Sequence, residues 1–187
     1  MKIVTSKRVR LEDVNSVKFG SIIRLHERPD YWPAYKHTTT RIDRIEFMLT
    51  GEYYGKIQSD GDGKRELLIV SMNTGQGVGI KQNTKVEVIH ERGEIMKIVK
   101  GPCCGAKELH SVKEGQTLRF INNLASKHEP NDVFIRNEIC SSYRPRTTSG
   151  IESCPGKIAV TNLRTGALAY VERTRAVEVV KAEVCLP

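Results

Sequence analysis

Ile69-Val-Ser-Met-Asn-Thr-Gly75, followed by Ile80 and Val86-Glu-Val-Ile89, returns 91 residues later as Val160-Thr-Asn-Leu-Arg-Thr-Gly166, Val171 and Val177-Glu-Val-Val180. Thr74 matches Thr165, Gly75 matches Gly166, and Glu87 matches Glu178. A self-similarity of this length decides the architecture before any single strand is read. The front of the chain repeats too, at a spacing of 95: Met1-Lys-Ile-Val4 recurs as Met96-Lys-Ile-Val99, and Ser16-Val-Lys-Phe-Gly-Ser-Ile-Ile-Arg-Leu25 as Ser111-Val-Lys-Glu-Gly-Gln-Thr-Leu-Arg-Phe120. Three collinear matches divide the chain into two units, 1–93 and 94–187. The fall from 95 to 91 places a net loss of four residues between Phe120 and Val160. Core-facing positions recur because packing constrains them, whereas surface loops tolerate change and carry specific function. Residues 26–66 and 121–157 are therefore where the copies are expected to differ in use.

At 187 residues, each half is long enough for a modest core that leans on its twin. No apolar run approaches the ~20 residues of a membrane span, and Met1 to Arg10 lacks the apolar stretch of a signal peptide. The expectation is a cytoplasmic protein without a membrane partner, nucleoid-associated if it binds DNA. Its formal charge is +8, with a basic excess in both halves. Such an excess raises affinity for polyanions and speeds encounter without determining a fold. The cysteines, Cys103, Cys104, Cys140, Cys154 and Cys185, are odd in number and concentrated in the second copy. A disulfide framework would staple both copies alike, so reduced thiols are the better reading.

Alternation predicts strands rather than helices along the whole chain. Lys2 to Val4 reads as a short strand, followed by the basic Thr5 to Arg10 and the turn-rich Glu12 to Ser16. Ser21 to Leu25 reads as a half-buried strand with Ile23 and Leu25 inward and Arg24 outward. Arg41 to Leu49 fits strand or short helix. Glu52 to Ile57 reads as a separate strand, and Ser59-Asp-Gly-Asp-Gly-Lys64 as a tight turn. Leu67 to Met72 is the most apolar strand, Asn73-Thr-Gly75 reverses the chain, Val78 to Lys81 returns, and Val86 to Ile89 closes the unit with Glu87 facing water. In the second copy Gly101-Pro-Cys-Cys-Gly105 reads as a turn, Gln116 to Ile121 and Asp132 to Arg136 as strands, Tyr143 to Gly150 as a basic loop, and Lys157 to Leu163 as the strand before the second Thr-Gly turn.

With this order on the page, the residues resemble the SH3-like small barrels, the KOW and Tudor types among them. The resemblance rests on Lys18-Phe-Gly-Ser-Ile-Ile-Arg-Leu25 and Lys113-Glu-Gly-Gln-Thr-Leu-Arg-Phe120 as first barrel strands, Tyr54-Gly-Lys-Ile57 as a second strand, and the paired Val-Glu-Val closings. It implies an all-β chain of two tandem SH3-like barrels, modules that bind nucleic acid or peptides through loops and an exposed sheet edge. Barrel order and basic charge are also similar to phage early DNA-binding regulators, which implies a role in transcription regulation or host takeover.

Several motifs invite sharper chemistry. Gly75-Gln-Gly-Val-Gly79 lies within a hairpin and not at a strand-to-helix turn, so it gathers no phosphate-binding amides at a helix start. The cysteines with His110 have the ligand chemistry of tetrahedral zinc, but Cys103 and Cys104 are adjacent, without the usual two-residue gap, and the first copy has no equivalents. No metal or cofactor is expected. His26-Glu27 and His128-Glu129 pair a base with a carboxylate, yet no nucleophile accompanies them.

Basic and aromatic loops are the stronger candidates. Lys7, Arg8, Arg10 and Lys36 in the first copy, with Arg144, Arg146, Arg164, Arg173 and Arg175 in the second, form clusters suited to phosphates of any base sequence. Trp32, with Tyr31, Tyr35 and Tyr143, offers a face for stacking on unpaired bases. The reading is a non-enzymatic protein that binds DNA or RNA by its phosphate backbone with little sequence readout. Its rival is an adaptor gripping a protein through a sheet edge or residues 31–35, and a small nuclease or hydrolase using His26 or His128 stands third.

Overall fold

Runs of Val, Ile and Leu interrupted by Gly, Asn and Thr make strands joined by tight turns, and the computed structural model is built almost wholly of them. It describes residues 2–4, 10–25, 45–54, 66–92, 104–122, 128–129, 131–137, 146–147, 150–151, 156–181 and 183–185. In the first half lie β1 (Lys2–Val4), β2 (Arg10–Asp13), β3 (Ile22–Leu25), β4 (Glu46–Tyr54), β5 (Glu66–Ser71), β6 (Gly77–Lys81) and β7 (Lys85–His90). The second holds β8 (Cys104–Glu108), β9 (Thr117–Phe120), β10 (Phe134–Arg136), β11 (Arg146–Thr147), β12 (Gly150–Ile151), β13 (Lys157–Asn162), β14 (Leu168–Glu172), β15 (Ala176–Val179) and β16 (Glu183–Cys185). The described helical residues are two one-turn 3₁₀ segments, Val14–Ser16 and Leu109–Ser111.

Twelve of these strands form two six-stranded antiparallel sheets, in the orders β2-β7-β3-β4-β5-β6 and β8-β15-β9-β10-β13-β14. Counted from the start of each half, the two orders are the same. The registers agree as well: Arg24 faces Glu87 and Arg119 faces Glu178, while Leu67 faces Ile80 and Ile158 faces Val171. Ile22 faces Met48 where Thr117 faces Ile135, and Met48 faces Val70 where Ile135 faces Thr161. The net loss of four residues thus resolves into a shorter connection after β9 and a longer one after β10. β1 pairs in parallel with β16, and β11 pairs with β12.

The end strands of each order, β2 with β6 and β8 with β14, form no ladder with one another among the described residues. A closed barrel is therefore not found among the described residues. Other expectations also change. Arg10 to Asp13 is an edge strand rather than the start of a turn, and Cys104-Gly105 opens β8. Glu52 to Tyr54 continues β4, whose register shifts between Leu49 and Tyr53, instead of forming a strand of its own. Within the basic segment 143–150, Arg146 and Thr147 form β11. The Ser59 to Lys64 turn lies outside the described residues.

Three apolar clusters hold the sheets. Val14, Ile23, Leu25, Phe47, Leu49, Ile69, Ile80, Val86 and Val88 fill the first sheet's own core. Leu109, Leu118, Phe120, Phe134, Ile158, Val160, Val171 and Val177 fill the second's. Between them lies a third cluster, in which Ile22, Met48, Leu68, Val70, Met72 and Ile89 meet Val133, Ile135, Leu163 and Val180. Alternation along β3 set Ile22 on the face opposite Ile23 and Leu25; Ile22 is nonetheless fully buried because the other sheet covers it. Arg24 does point out of the first core, but it is half-buried and bonded to Glu46 at 2.7 Å, with Glu87 at 3.7 Å.

The Thr-Gly turns sit on this seam. Gly20 packs on Thr165 and Gly166 of the opposite half, and Gly115 packs on Asn73, Thr74 and Gly75. The contact is reciprocal, backbone against backbone. Gly20 N–H donates to Leu49 O at 2.7 Å, and Gly115 N–H donates to Arg136 O at 2.8 Å. Turn chemistry matches too, since Ser71 Oγ accepts from Asn73 and Thr74 N–H, and Asn162 Oδ1 accepts from Arg164 and Thr165 N–H.

Candidate nucleic-acid interface

In the second sheet, β8 runs into the 3₁₀ turn at Leu109. That residue is fully buried and anchors the turn in the core, while Ser111 Oγ closes it by donating to Glu108 O at 2.7 Å. Beside it, β14 and β15 are joined by a tight turn in which Arg175 N–H donates to Glu172 O at 3.1 Å. Two backbone bonds lock these turns together, from Leu109 N–H to Arg175 O and from His110 N–H to Arg173 O, each 2.9 Å. Lys107, His110, Arg173 and Arg175 are thereby gathered at one end of the sheet. Arg136 reaches the same turn from β10, its Nη1 donating to His110 O at 3.4 Å.

Acids partly offset this cluster. Glu108 lies 3.1 Å from His110 Nδ1, Glu114 lies 3.7 Å from Arg136 Nη2, and Glu172 lies 3.6 Å from Lys157 Nζ. Lys107 and Arg173 are exposed and form no ion pair among the described residues. Arg175 is half-buried, and its Nη2 donates to Asn122 O at 3.4 Å. The matched end of the first sheet has the same backbone frame, with Val14 N–H donating to Thr84 O at 3.0 Å and Asn15 N–H to Gln82 O at 3.3 Å. Its side chains differ: Glu12, Asn15, Gln82, Thr84 and Leu49 stand where the second half has Lys107, His110, Arg173, Arg175 and Arg136. Lys81 and Lys85 of the first half stand where the second has Glu172 and Ala176, so the first end balances Glu12 and Asp13 with two lysines, whereas the second sets Lys107, Arg173 and Arg175 against Glu108 and Glu172.

Two of the arginines expected to meet phosphate are used internally. Arg10, on β2, is ion-paired with Glu12 at 3.2 Å and with Glu91. Arg164 forms a two-pronged bond with Asp132, Nε to Oδ1 at 2.6 Å and Nη2 to Oδ2 at 2.9 Å, and also pairs with Glu129 at 3.2 Å. The Asp132 side chain is only 3% exposed and accepts further bonds from Asn162 Nδ2 at 2.7 Å and Glu129 N–H at 3.0 Å. Burial pushes its carboxyl pKa up, but the bonds from Arg164, Asn162 and Glu129 N–H, with the Arg164 charge, outweigh burial and hold it below the ordinary carboxylate value. The bond to Asp132 in turn raises the Arg164 pKa. His128 is tucked against this group, its Nδ1 3.2 Å from Asn162 Nδ2 and its ring edge-on to Phe134. The cluster is a structural pin in which Arg164 Nε and Nη2 are held by Asp132 and Nη1 by Glu129.

Arg173 and Arg175 both lie on the turn between β14 and β15. Lys7, Arg8, Trp32, Lys36 and Arg144 lie outside the described residues, as do His26, Tyr31, Tyr35, Tyr143 and the cysteine side chains; Arg146 is described by its backbone alone. Reasoning on charge clusters missed Lys107, His110 and Arg136. The signal that finds them is the difference between matched positions of the repeat. Among the described residues no group of His, Cys, Asp and Glu is arranged to hold a metal ion, and no helix is long and apolar enough to cross a membrane. No protein-family model matches the chain, and neither a curated protein nor a solved structure matches it.

Proposed function

We propose that the chain is a tandem of two SH3-like modules, 1–93 and 94–187, that binds nucleic acid electrostatically with little sequence readout. The shared strand order, the shared register and the reciprocal glycine contacts support the tandem reading. The observation that carries the binding reading is the backbone-locked gathering of Lys107, His110, Arg173 and Arg175, two of whose charges meet no acid among the described residues. Cations carried side by side on hydrogen-bonded turns present a local positive charge to phosphate, and each phosphate neutralised releases counterions.

Three permanent cations in contact with phosphates give a slope of log K against log salt of about −3. Fluorescence anisotropy with a labelled duplex, titrated across salt, measures it. Arg173→Ala/Arg175→Ala is expected to weaken binding at least about tenfold at low salt and to flatten the slope by about 2. No binding of any nucleic acid at low salt would overturn the reading.

A further inference from the structure

The repeat invites a symmetric picture in which both halves hold the ligand alike. The side chains argue otherwise. We infer that the chain grips one double-stranded nucleic acid, by its phosphates, on the 3₁₀-turn end of the second sheet alone, and that the matched end of the first sheet takes none. The inference rests on the electrostatic reading above and adds to it the kind of strand, the face and the stoichiometry.

The one-sidedness follows from residues that share a backbone frame. Both ends are tied by the same pair of bonds, from the first two residues of the 3₁₀ turn to the tight turn before the last strand of the sheet, so geometry does not distinguish them. Charge does. The first half places Glu12 on its edge strand, with Arg10 ion-paired to Glu12 and Glu91, Asp13 bonded to Lys85 at 3.0 Å, Lys81 where the second half has Glu172, and the uncharged Gln82 and Thr84 in its turn, so its charges balance. A phosphate there would meet carboxylates at the position where the second half offers Lys107.

The preference for a duplex follows from charge density, since the exposed Lys107 and Arg173 meet two paired backbones in a duplex and one in a single strand. Single strands are held without sequence preference by aromatic faces along a basic groove. Here Phe120 and Phe134 stack edge to face within the core, their centroids 5.0 Å apart, and the Tyr170 hydroxyl is buried.

Isothermal titration of the full chain with a duplex of about 12 base pairs, a little over one helical turn, tests the inference beside a single strand of equal length. Wild type is expected to bind one duplex per chain, at least about fivefold tighter than the single strand. Arg173→Ala/Arg175→Ala should weaken that site at least about tenfold. Installing the second half's residues in the first, as Glu12→Lys/Gln82→Arg/Thr84→Arg, should create a second site and raise the stoichiometry to two. A wild type that binds no nucleic acid sinks the electrostatic reading itself. Duplex binding unweakened by Arg173→Ala/Arg175→Ala, or a single strand bound as tightly as the duplex, overturns the inference while leaving electrostatic binding by another face intact. Stoichiometry fixed at one in the triple variant shows that these positions do not make the site.

Discussion

Gly166→Ala tests the seam that joins the two halves. Gly166 has φ +72°, and a methyl group added there would lie 2.6 Å from Gly20 N, 2.8 Å from Gly20 Cα and 2.8 Å from Leu49 O. All three neighbours are backbone atoms, so no side chain can swing aside. Carbon atoms pack at about 3.5–4.0 Å, leaving a shortfall of about 0.7 Å or more that only separating the sheets can relieve. The left-handed conformation alone costs an alanine about 1–2 kcal/mol, and forcing a methyl into a closed contact adds about 1–3 kcal/mol. The expected loss is about 3 kcal/mol, a large share of the stability of an ordinary domain. Gly156→Ala is the internal control, because Gly156 has φ +85° but nothing within 4 Å of an added methyl, and it should lose only the conformational part. For a chain of this size each kcal/mol moves Tm by about 2–4 °C. Thermal and urea unfolding followed by circular dichroism should place Gly166→Ala well below Gly156→Ala. Because Gly20 and Gly166 share one contact, Gly20→Ala/Gly166→Ala should cost less than the sum of the single changes. If Gly166→Ala is no worse than Gly156→Ala, the halves are not in backbone contact and the seam is wrong.

Arg164→Ala strips a nearly buried carboxylate of its two-pronged partner and should cost about 2 kcal/mol at neutral pH, with the half-exposed guanidinium already discounted for solvent. The folded pKa of Asp132 is depressed, so the pair's contribution is complete above the ordinary carboxylate pKa near pH 4 and fades as pH falls through the lowered value; the gap between wild type and variant in urea unfolding should therefore close on acidification. The same variant should leave the salt slope of nucleic-acid binding unchanged, whereas the exposed Arg173→Ala should move the slope and leave stability within about 0.5 kcal/mol. Met48→Ala opens a cavity in the cluster shared by both sheets and should cost about 2–5 kcal/mol, with near- and far-ultraviolet signals melting in one transition; two separated transitions would show that the middle cluster does not couple the halves.

The strands were legible in the sequence wherever a residue's fate was settled within its own half. Ile23, Leu25, Val86 and Val88 alternate with Arg24 and Glu87, and the structure places them in the first core with the ion pair outside it. What periodicity could not supply was the second use of Ile22, Met48, Leu68 and Val70. These residues sit on the face that a lone unit would expose, and they are buried only because a second sheet is there to cover them. Their apolar character was visible, yet its cause lies in the other half. The repeat held that information in the Thr-Gly positions, which look like hairpin turns when read singly and become the mutual contact when both copies are considered together. Arg164 was hidden for a similar reason. Its partner Asp132 has Ile45 as its counterpart in the first half, so the pin exists only in the second. The cationic end shows where the repeat is most informative. Matched residues report what the scaffold requires, and the replacement of Glu12, Gln82 and Thr84 by Lys107, Arg173 and Arg175 on an unchanged backbone frame is not explained by packing. Those exchanges make that end the more basic of the two, and the proposed binding of phosphate rests on that change of charge.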